Sequence, residues 1–171
     1  DWSGLSLAVG VSVAESLHPD IALKWPNDLW LRERKLAGIL IETASFGAQR
    51  YAVIGIGINI APPDPARAAG LSTPPAWLQE LLPELDAPQA LLRLAEPLVR
   101  TLLAFEALGF APFQARFNAR DALRDRAVDL SDGTQGTAHG VSENGALLVH
   151  TAAGMKSITS SEVSVRPLRP A

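Results

Sequence analysis

The polar side chains best suited to a charged ligand lie close together in the first third of this sequence. Lys24, Asn27 and Asp28 belong to the segment KWPND, and Lys35 follows a short distance along the chain. A lysine ammonium is a compact point charge that suits a carboxylate or a phosphate, and an asparagine amide both donates and accepts hydrogen bonds. An aspartate at this place either caps a backbone N–H or helps to hold a magnesium–phosphate group. Taken singly, each residue also fits an ordinary capped turn with solvated lysines beside it.

Three glycines fall inside segments whose valines and isoleucines predict β-strands. They are Gly38 in RKLAGIL, and Gly55 and Gly57 in VIGIGIN. Glycine weakens a strand interior and often marks a place where a ligand or another backbone approaches closely. A bulge or tight helix–sheet packing is the alternative for any one of them, but three on neighbouring strands favour a flat ligand lying on backbone. Asn59 follows the last of these strands and is a further candidate amide.

A helix and a group of neighbouring strands must position these residues. Leu5, Val9, Val13 and Leu17 fall on one i, i+4 row, which predicts a helix ending at the segment HPD. Four strand-like segments follow: IALKW, LWLRER, KLAGILIET and RYAVIGIGINI. The order predicts an α+β fold with a mixed or antiparallel sheet and helices on one face.

A long helix is predicted after a proline-rich surface loop. Asp86 and Gln89 have capping-box spacing at its start, and Gly109 marks its end. Pro97 inside the pattern predicts a kink or a split into two helices. A further helical stretch is expected over FQARFNARDALRDR, with its arginines on a solvated face.

The last part of the chain changes to short alternating strands and glycine turns. This pattern begins at Val128, and Asn144-Gly145 predicts the bend of a hairpin. The pattern predicts a small SH3-like β-barrel. We therefore divide the chain into a larger domain, residues 1–125, and a β-module, residues 126–171.

Composition excludes several classes of function. The sequence has no cysteine, which excludes disulfides, thiolate catalysis and cysteine-based zinc sites. His18, His139 and His150 are scattered without metal-ligand spacing. The 15 Lys and Arg against 18 Asp and Glu give a net charge of −3, which argues against nucleic acid as a partner. No apolar run reaches membrane-spanning length and the first residues do not resemble a signal peptide, so we expect a soluble, cytoplasmic protein.

Three motifs resemble those of one known family. KWPND, RKLAGILIE and VIGIGIN are similar, in order and in separation, to successive motifs in the catalytic domain of biotin protein ligases. The helical segment before them and the β-module after them fit the same family, so the resemblance covers essentially the whole chain. It implies the class II synthetase-like catalytic fold followed by the SH3-like domain. Lipoate ligation, carried out by a related fold, is an alternative that these motifs match less well.

The resemblance implies a two-step reaction. These enzymes join biotin to ATP, forming biotinyl-5′-AMP and pyrophosphate, and then transfer the biotinyl group to one lysine of a biotin carboxyl carrier protein. A carboxylate that attacks an α-phosphate brings two anions together, so the site must supply cations and oriented donors. No covalent enzyme nucleophile is needed, which suits a chain without cysteine or a Ser-His-Asp set.

The resemblance also assigns roles to individual residues. It implies a catalytic role for Lys35, which would contact the biotin carboxylate and the phosphate, and backbone contacts to biotin at Gly38 and Gly55. The implied ATP contacts, with Mg²⁺ on the phosphates, are Lys24, Asn27, Lys35 and Asn59. No metal ligand is implied, and Asp28 has at most an indirect role towards Mg²⁺. The segment PARAAGLST and Trp77 are expected near the adenine.

The sequence departs from the family in what it lacks. The Gly/Arg-rich loop of the form G-R-G-R-R-G, the Ser-Thr-Asn biotin contact, the ring-contacting Gln and the DNA-binding helix-turn-helix of repressor-type members are not found in it. We therefore expect the C-terminal part of the catalytic fold, which alone binds biotin weakly or not at all. The alternative is a truncated, non-catalytic homologue that associates through exposed sheet surface. Pairing through the sheets in the family implies a homodimer.

Overall fold

The first helix packs across one face of the first sheet. A computed structural model describes residues 1–64, 74–159 and 164–168, and the segment 65–73 expected near adenine lies outside them. Helix α1, Leu5–Leu17, buries its predicted apolar row. Gly10 permits the close approach of the helix to the sheet. A Cβ atom at Gly10 would lie 3.3 Å from the Leu23 side chain and 3.5 Å from that of Ile39.

The first sheet is antiparallel throughout, with its strands in sequence order. It consists of β1 (Ala22–Lys24), β2 (Asp28–Leu31), β3 (Arg34–Phe46) and β4 (Gln49–Ile58). The predicted strand LWLRER is wrong in its second half, because β2 ends at Leu31. Arg32 and Glu33 form the β2–β3 turn with φ of 49° and 61°, the left-handed backbone that two-residue hairpin turns require.

The long predicted helix is present as α2, Ala87–Leu108, which packs on α1. Asp86 Oδ1 accepts the Gln89 N–H at 2.8 Å, and Gln89 Oε1 accepts the Asp86 N–H at 3.2 Å, as a capping box does. Gly109 ends the helix with a φ of 67°. Pro97 does not split it, because buried Leu94 and Thr101 hold the turns on both sides of the proline.

The predicted helix over FQARFNARDALRDR is wrong for most of its length. A single turn of 3₁₀ helix, Ala111–Phe113, leads into the short helix α3, Gln114–Asn118, and no helix follows over residues 119–126. The chain pairs there with β1 instead: the Leu23 N–H donates to the Arg120 carbonyl oxygen, and the Ala122 N–H donates to the Leu23 carbonyl oxygen, both at 2.8 Å. These bonds to a distant strand replace the helical ones.

The arginines of this stretch bind the first helix and the loop after it. Arg116 Nε donates to Glu15 on α1 at 3.1 Å. Arg120 Nη1 donates to the carbonyl oxygens of Pro19 and Ile21 at 2.8 and 3.0 Å. The expectation of a solvated arginine face is therefore only partly right, since these two side chains fasten the segment to the α1 end of the molecule.

The β-module is a five-stranded antiparallel sheet with strand order β8-β7-β6-β5-β9. Its strands are β5 (Ala127–Leu130), β6 (Gln135–Val141), β7 (Leu147–Thr151), β8 (Gly154–Ile158) and β9 (Val165–Pro167). Gly145 lies in the β6–β7 bend with a φ of 81°, as predicted. Asn118 of α3 ties the module to the first part, since its Oδ1 accepts the Val141 N–H at 2.9 Å. The division at residue 125 stays a prediction.

The structure confirms the predicted α+β class, with helices on one face of the first sheet. Among the described residues, no helix combines the length and the apolar character that crossing a membrane requires.

Candidate functional site

The three strand glycines lie on the face of the first sheet that α1 leaves open. Leu23 and Ile39 point towards α1 and are buried, so residues that alternate with them point the other way. Gly38 alternates with Ile39, while Gly55 and Gly57 alternate with the β4 isoleucines that pack against the core. Tight helix–sheet packing therefore does not account for these glycines.

One row of paired residues crosses the four strands of this sheet. Lys24 on β1 pairs with Asp28 on β2. Asp28 pairs in turn with Gly38 on β3, and Gly38 pairs with Gly57 on β4. The row thus begins with a lysine, continues with an aspartate and ends with two glycines, which expose their backbone.

Backbone forms the floor of an open groove beside this row. A Cβ atom at Gly57 would have the Gly38 carbonyl oxygen as its nearest neighbour, at 3.9 Å, and one at Gly55 would lie 3.6 Å from the Leu40 carbonyl oxygen. The groove has a volume of about 510 Å³, and Asn27 and Lys35 are among its lining residues. A flat molecule could therefore lie directly on peptide groups.

An ion pair stands at the edge of the groove. Lys35 Nζ lies 2.6 Å from Asp28 Oδ1, and the two side chains are 56% and 17% exposed. The contact is an ion pair rather than a directed hydrogen bond, because Asp28 Oδ1 has no aligned donor in the described part of the chain. A Cβ atom at Gly38 would lie only 3.2 Å from Lys35 Nζ. The absence of a side chain at Gly38 therefore lets the ammonium reach across the strand to Asp28.

The second lysine is partly buried at the other end of the row. Lys24 Nζ lies 5.2 Å from the centre of the Trp30 ring, within cation–π range. Burial lowers the pKa of Lys24, Asp28 opposes this change, and Lys35 and Arg166 add to it. Lys24 therefore adds a second, partly buried cation at this end of the row, next to the Asp28 carboxylate.

The two asparagines hold the backbone around the groove. Asn27 Nδ2 donates to the Ile39 carbonyl oxygen at 2.9 Å, and the Ile39 N–H donates to the Asn27 carbonyl oxygen at the same distance. Asn59 Nδ2 donates to the Ala76 carbonyl oxygen at 3.0 Å. The amide nitrogens of both asparagines thus bind backbone carbonyl groups, as the alternative of an ordinary capped turn expects. Contact of these residues with a nucleotide stays a prediction.

The edge of the sheet next to Lys35 is closed by the segment that follows residue 73. The Ala76 N–H donates to the Lys35 carbonyl oxygen at 2.9 Å. Trp77 lies against Arg34, whose guanidinium carbon is 5.7 Å from the ring centre, and Arg34 also forms an ion pair with Glu80. Burial acts to raise the pKa of Glu80, but hydrogen bonds from Arg34 and the Trp77 N–H outweigh it, so this pKa lies below its usual value.

The structure brings the three sequence motifs together and adds two neighbours that the sequence did not assign to the site. Trp30 pairs with Lys35 across β2 and β3, and Leu40, which is 60% exposed, pairs with Gly55 across β3 and β4. The period-2 alternation that places Leu40 two residues after Gly38 was the signal for it. The place of Trp30 opposite Lys35 follows from a bulge between Leu29 and Trp30 that shifts the pairing register, and no sequence pattern shows this bulge.

The arrangement suits an anionic, flat ligand. It offers two ammonium groups, one carboxylate that holds a lysine in place, and peptide groups that a ligand can approach directly. The described residues contain no group of three or more His, Asp or Glu side chains arranged to hold a metal ion.

Family models match both parts of the chain. The model of the Biotin/lipoate A/B protein ligase family matches residues 4–59, which include the whole first sheet. The model of the Biotin protein ligase C terminal domain matches residues 126–166, in the β-module. The fold and the groove thus define a protein of the biotin and lipoate ligase class.

Individual relatives narrow this class. The chain is 36% identical over 173 residues to the Bifunctional ligase/repressor BirA of Escherichia coli, covering 95% of this chain and 53% of that protein. It is 35% identical over 168 residues to the Biotin--[acetyl-CoA-carboxylase] ligase of Paracoccus denitrificans, covering 95% of this chain and 68% of that protein. The chain belongs to the biotin protein ligase family. It spans about half the length of the BirA proteins that it matches.

Solved structures agree with this family. The biotin protein ligase from Aquifex aeolicus superimposes with a TM-score of 0.83 at 28% identity, covering 98% of this chain and 76% of that one. The same ligase in complex with biotin and ATP superimposes equally well, covering 98% of this chain and 73% of that one.

Proposed function

We propose that this chain forms part of the site at which a biotin protein ligase activates biotin with ATP and transfers it to a protein lysine. The observation that carries the proposal is the Lys35–Asp28 ion pair beside a floor of bare backbone at Gly38 and Gly55. A cation held in place beside an unobstructed groove is what a flat ligand with a carboxylate needs. The similarity to ligases that bind biotin and ATP supports the same assignment.

The proposed first step joins two anions. A carboxylate oxygen of biotin forms a bond to the α-phosphorus of ATP, and the bond from that phosphorus to the bridging oxygen of pyrophosphate breaks. Lys35 lowers the barrier by placing positive charge where the two anions meet. In the second step the amine of the acceptor lysine attacks the acyl carbon and loses a proton, and AMP leaves with the electron pair of the broken bond.

The remaining site residues have supporting roles in this proposal. Gly38 and Gly55 provide backbone contacts to biotin. The nucleotide is bound with the help of Lys24, whose charge attracts the phosphates. Asn27 and Asn59 fix the backbone around those phosphates.

We propose that Mg²⁺ enters on the triphosphate and not in a protein cage. The Asp28 carboxylate is engaged with Lys35, and the described residues offer no cluster of three acidic or histidine ligands. An ion held in this way would take its remaining ligands from phosphate oxygens and water. Asp28 would act on the ion indirectly, through the position of Lys35.

The acceptor in this proposal is a lysine of a biotin carboxyl carrier protein, and the activity is cytoplasmic, where ATP and carboxylases meet. Residues 1–125 would bind the small substrates, and residues 126–171 would form the second domain.

Formation of biotinyl-5′-AMP tests the proposal directly. Biotin and α-labelled ATP are incubated with this chain, and with the chain preceded by the Gly/Arg-rich segment of a family member. We expect adenylate and pyrophosphate from the extended protein, and their loss in Lys35→Ala. Lys156→Ala is the matched control, because Lys156 lies on β8 and pairs with Asp132 at 3.2 Å. Adenylate at the normal rate in Lys35→Ala would rule out the catalytic role of Lys35.

Replacing biotin by lipoate separates the two branches of the class, since one family model covers both ligand types. We expect the biotinyl product only. Preferential formation of lipoyl-AMP would favour the lipoate-ligase alternative.

A non-catalytic association module is the second candidate, and exposed apolar side chains favour it. Leu40, Val53 and Phe46 on the β3–β4 hairpin are 60%, 54% and 83% exposed, and such surface invites pairing. Calorimetry with biotin and light scattering, both on the extended protein, distinguish the two candidates. Stable dimers without heat of biotin binding would favour the module. A homodimer that also binds biotin is the outcome that our first proposal expects.

A further inference from the structure

The KWPND turn is attached to the β-module by one buried hydrogen bond. Trp25 is 2% exposed, and its Nε1–H donates to the carbonyl oxygen of Gly145 at 3.1 Å. A buried indole N–H needs such a partner, because leaving it without an acceptor costs more than the bond itself contributes. The acceptor lies in the β6–β7 turn, far along the chain from Trp25.

The β6–β7 turn is shaped for this contact. Gly145 has a φ of 81°, and a Cβ atom there would lie 2.8 Å from Gly4 Cα and 3.2 Å from Leu7 Cδ1. The turn is closed by its own bonds, since the Gly145 N–H donates to the Ser142 carbonyl oxygen at 2.9 Å. The Gly145 carbonyl therefore has a fixed position against the start of α1.

Trp25 separates the two charged residues that begin the cross-strand row. Lys24 precedes it, and Asp28, the partner of Lys35, follows after Pro26 and Asn27. Two other contacts hold the same turn: Ser6 Oγ donates to the Pro26 carbonyl oxygen at 3.0 Å, and the Ile39 N–H donates to the Asn27 carbonyl oxygen at 2.9 Å. Of these three attachments, only that of Trp25 reaches the β-module.

We propose that Trp25 is a positioning residue: its hydrogen bond to Gly145 makes the β6–β7 turn part of the support that places Lys24 and Asp28 at the groove. The expected effect of Trp25 on kinetics rests on the proposed function. The expected effect on the mobility of the turn does not. Loss of the indole N–H should loosen the turn between Lys24 and Asp28 more than the rest of the molecule.

Trp25→Phe tests this, because phenylalanine keeps an aromatic ring and removes the N–H. Amide hydrogen exchange on this chain is the first readout, since it reports local opening. We expect exchange at the Ile39 amide, which bonds to the Asn27 carbonyl, to accelerate about tenfold relative to amides within α2. Gly145→Ala approaches the same contact from the other side, but its methyl group would meet Gly4 Cα at 2.8 Å, so it should accelerate exchange both at Ile39 and in the first turn of α1. Lys156→Ala, which removes a polar contact to Asp132 elsewhere in the β-module, is the control and should leave exchange at Ile39 unchanged.

Kinetics on the extended, adenylating protein supply the second readout. Trp25→Phe should raise the KM for ATP about tenfold and also lower the rate of adenylate formation, because the turn carries both the proposed nucleotide contacts and Asp28, which holds Lys35. Unchanged exchange at Ile39, or acceleration spread equally over the whole chain, would overturn the positioning role. If the extended protein forms no adenylate at all, the proposed function fails while the exchange result still decides the role of Trp25.

Discussion

Lys35 and Asp28 sit on neighbouring strands, with the ammonium 2.6 Å from the carboxylate. Because Lys35 is 56% exposed, the pair contributes at most about 1 kcal/mol to folding. Its importance is geometric: Asp28, which is largely buried, fixes the position of a lysine that would otherwise move freely in solvent.

Asp28→Asn should therefore separate activity from stability. The substitution keeps the shape of the side chain and removes the charge that holds Lys35. We expect the free energy of unfolding to change by less than about 1 kcal/mol. Adenylate formation by the extended protein should fall at least about tenfold because Lys35 is no longer held in place. Denaturant titration and the adenylation assay measure the two effects. If activity falls only in proportion to the amount of folded protein, Asp28 does not position Lys35.

Adding a methyl group to the groove floor should block the ligand without harming the fold. In Gly55→Ala and Gly57→Ala the new atom meets nothing closer than 3.6 and 3.9 Å. We expect stability to be unchanged or higher by up to about 1 kcal/mol, since glycine is costly within a strand. The affinity of the extended protein for biotin or nucleotide should fall at least about tenfold, as calorimetry would show.

Gly10→Ala adds a methyl group on the opposite face of the sheet, where α1 packs. This methyl group would lie between α1 and the sheet, 3.3 Å from the Leu23 side chain. We expect the ligand affinity of the extended protein to be unchanged, whichever way the unfolding midpoint moves, because the gain in helix propensity and the contact with Leu23 act in opposite directions. If Gly10→Ala weakened binding as strongly as Gly57→Ala does, the assignment of separate roles to the two faces would be wrong.

Asp121 should make stability depend on pH. Burial raises the pKa of Asp121 to about 6, although the Leu123 N–H donates to this carboxylate at 2.9 Å and opposes the change. The unfolded chain releases this proton near pH 4, so between about pH 4 and 6 the folded state binds more protons and loses stability as the pH rises. The loss, of about 2–3 kcal/mol, is complete above pH 6. Urea midpoints from pH 4.5 to 7 should show this slope, and Asp121→Asn should flatten it. A slope of the same size in the variant would assign it to another group.

The capping box of α2 offers a test of stability alone. Asp86→Ala removes the acceptor of the Gln89 N–H and should lower the free energy of unfolding by about 1 kcal/mol. Thermal unfolding measures this loss. Asp86→Asn should recover most of it, and an equal loss in both variants would mean that the cap does not act through this hydrogen bond.

Local signals predicted most of the fold. The apolar row of α1, the capping box at Asp86 and the stop at Gly109 each depend on residues a few positions apart, and all three are present in the structure. The failed helix beyond Asn118 depends on a distant partner. Residues 120–122 bond to Leu23, and no pattern within the segment announces that pairing.

The motifs that the structure brings together were visible in the sequence, and the geometry between them was not. Motif order pointed to Lys35 and the strand glycines, because glycine in a strand is unusual enough to be noticed. The contact between Lys35 and Asp28 depends on strand register, which a bulge after Leu29 shifts by one residue. The role of Trp25 was hidden for a similar reason, since Gly145, which accepts its hydrogen bond, belongs to the other sheet.

The glycine floor limits how the groove can change. A pocket floored by side chains can be enlarged by trimming them, whereas Gly38, Gly55 and Gly57 have nothing left to remove. Each substitution at these positions can only make the groove shallower. If the three glycines are kept, a change in ligand preference must come from the walls of the groove, at Leu40 and Lys35. Substitution of the glycines themselves can make room only for thinner ligands, not for thicker ones.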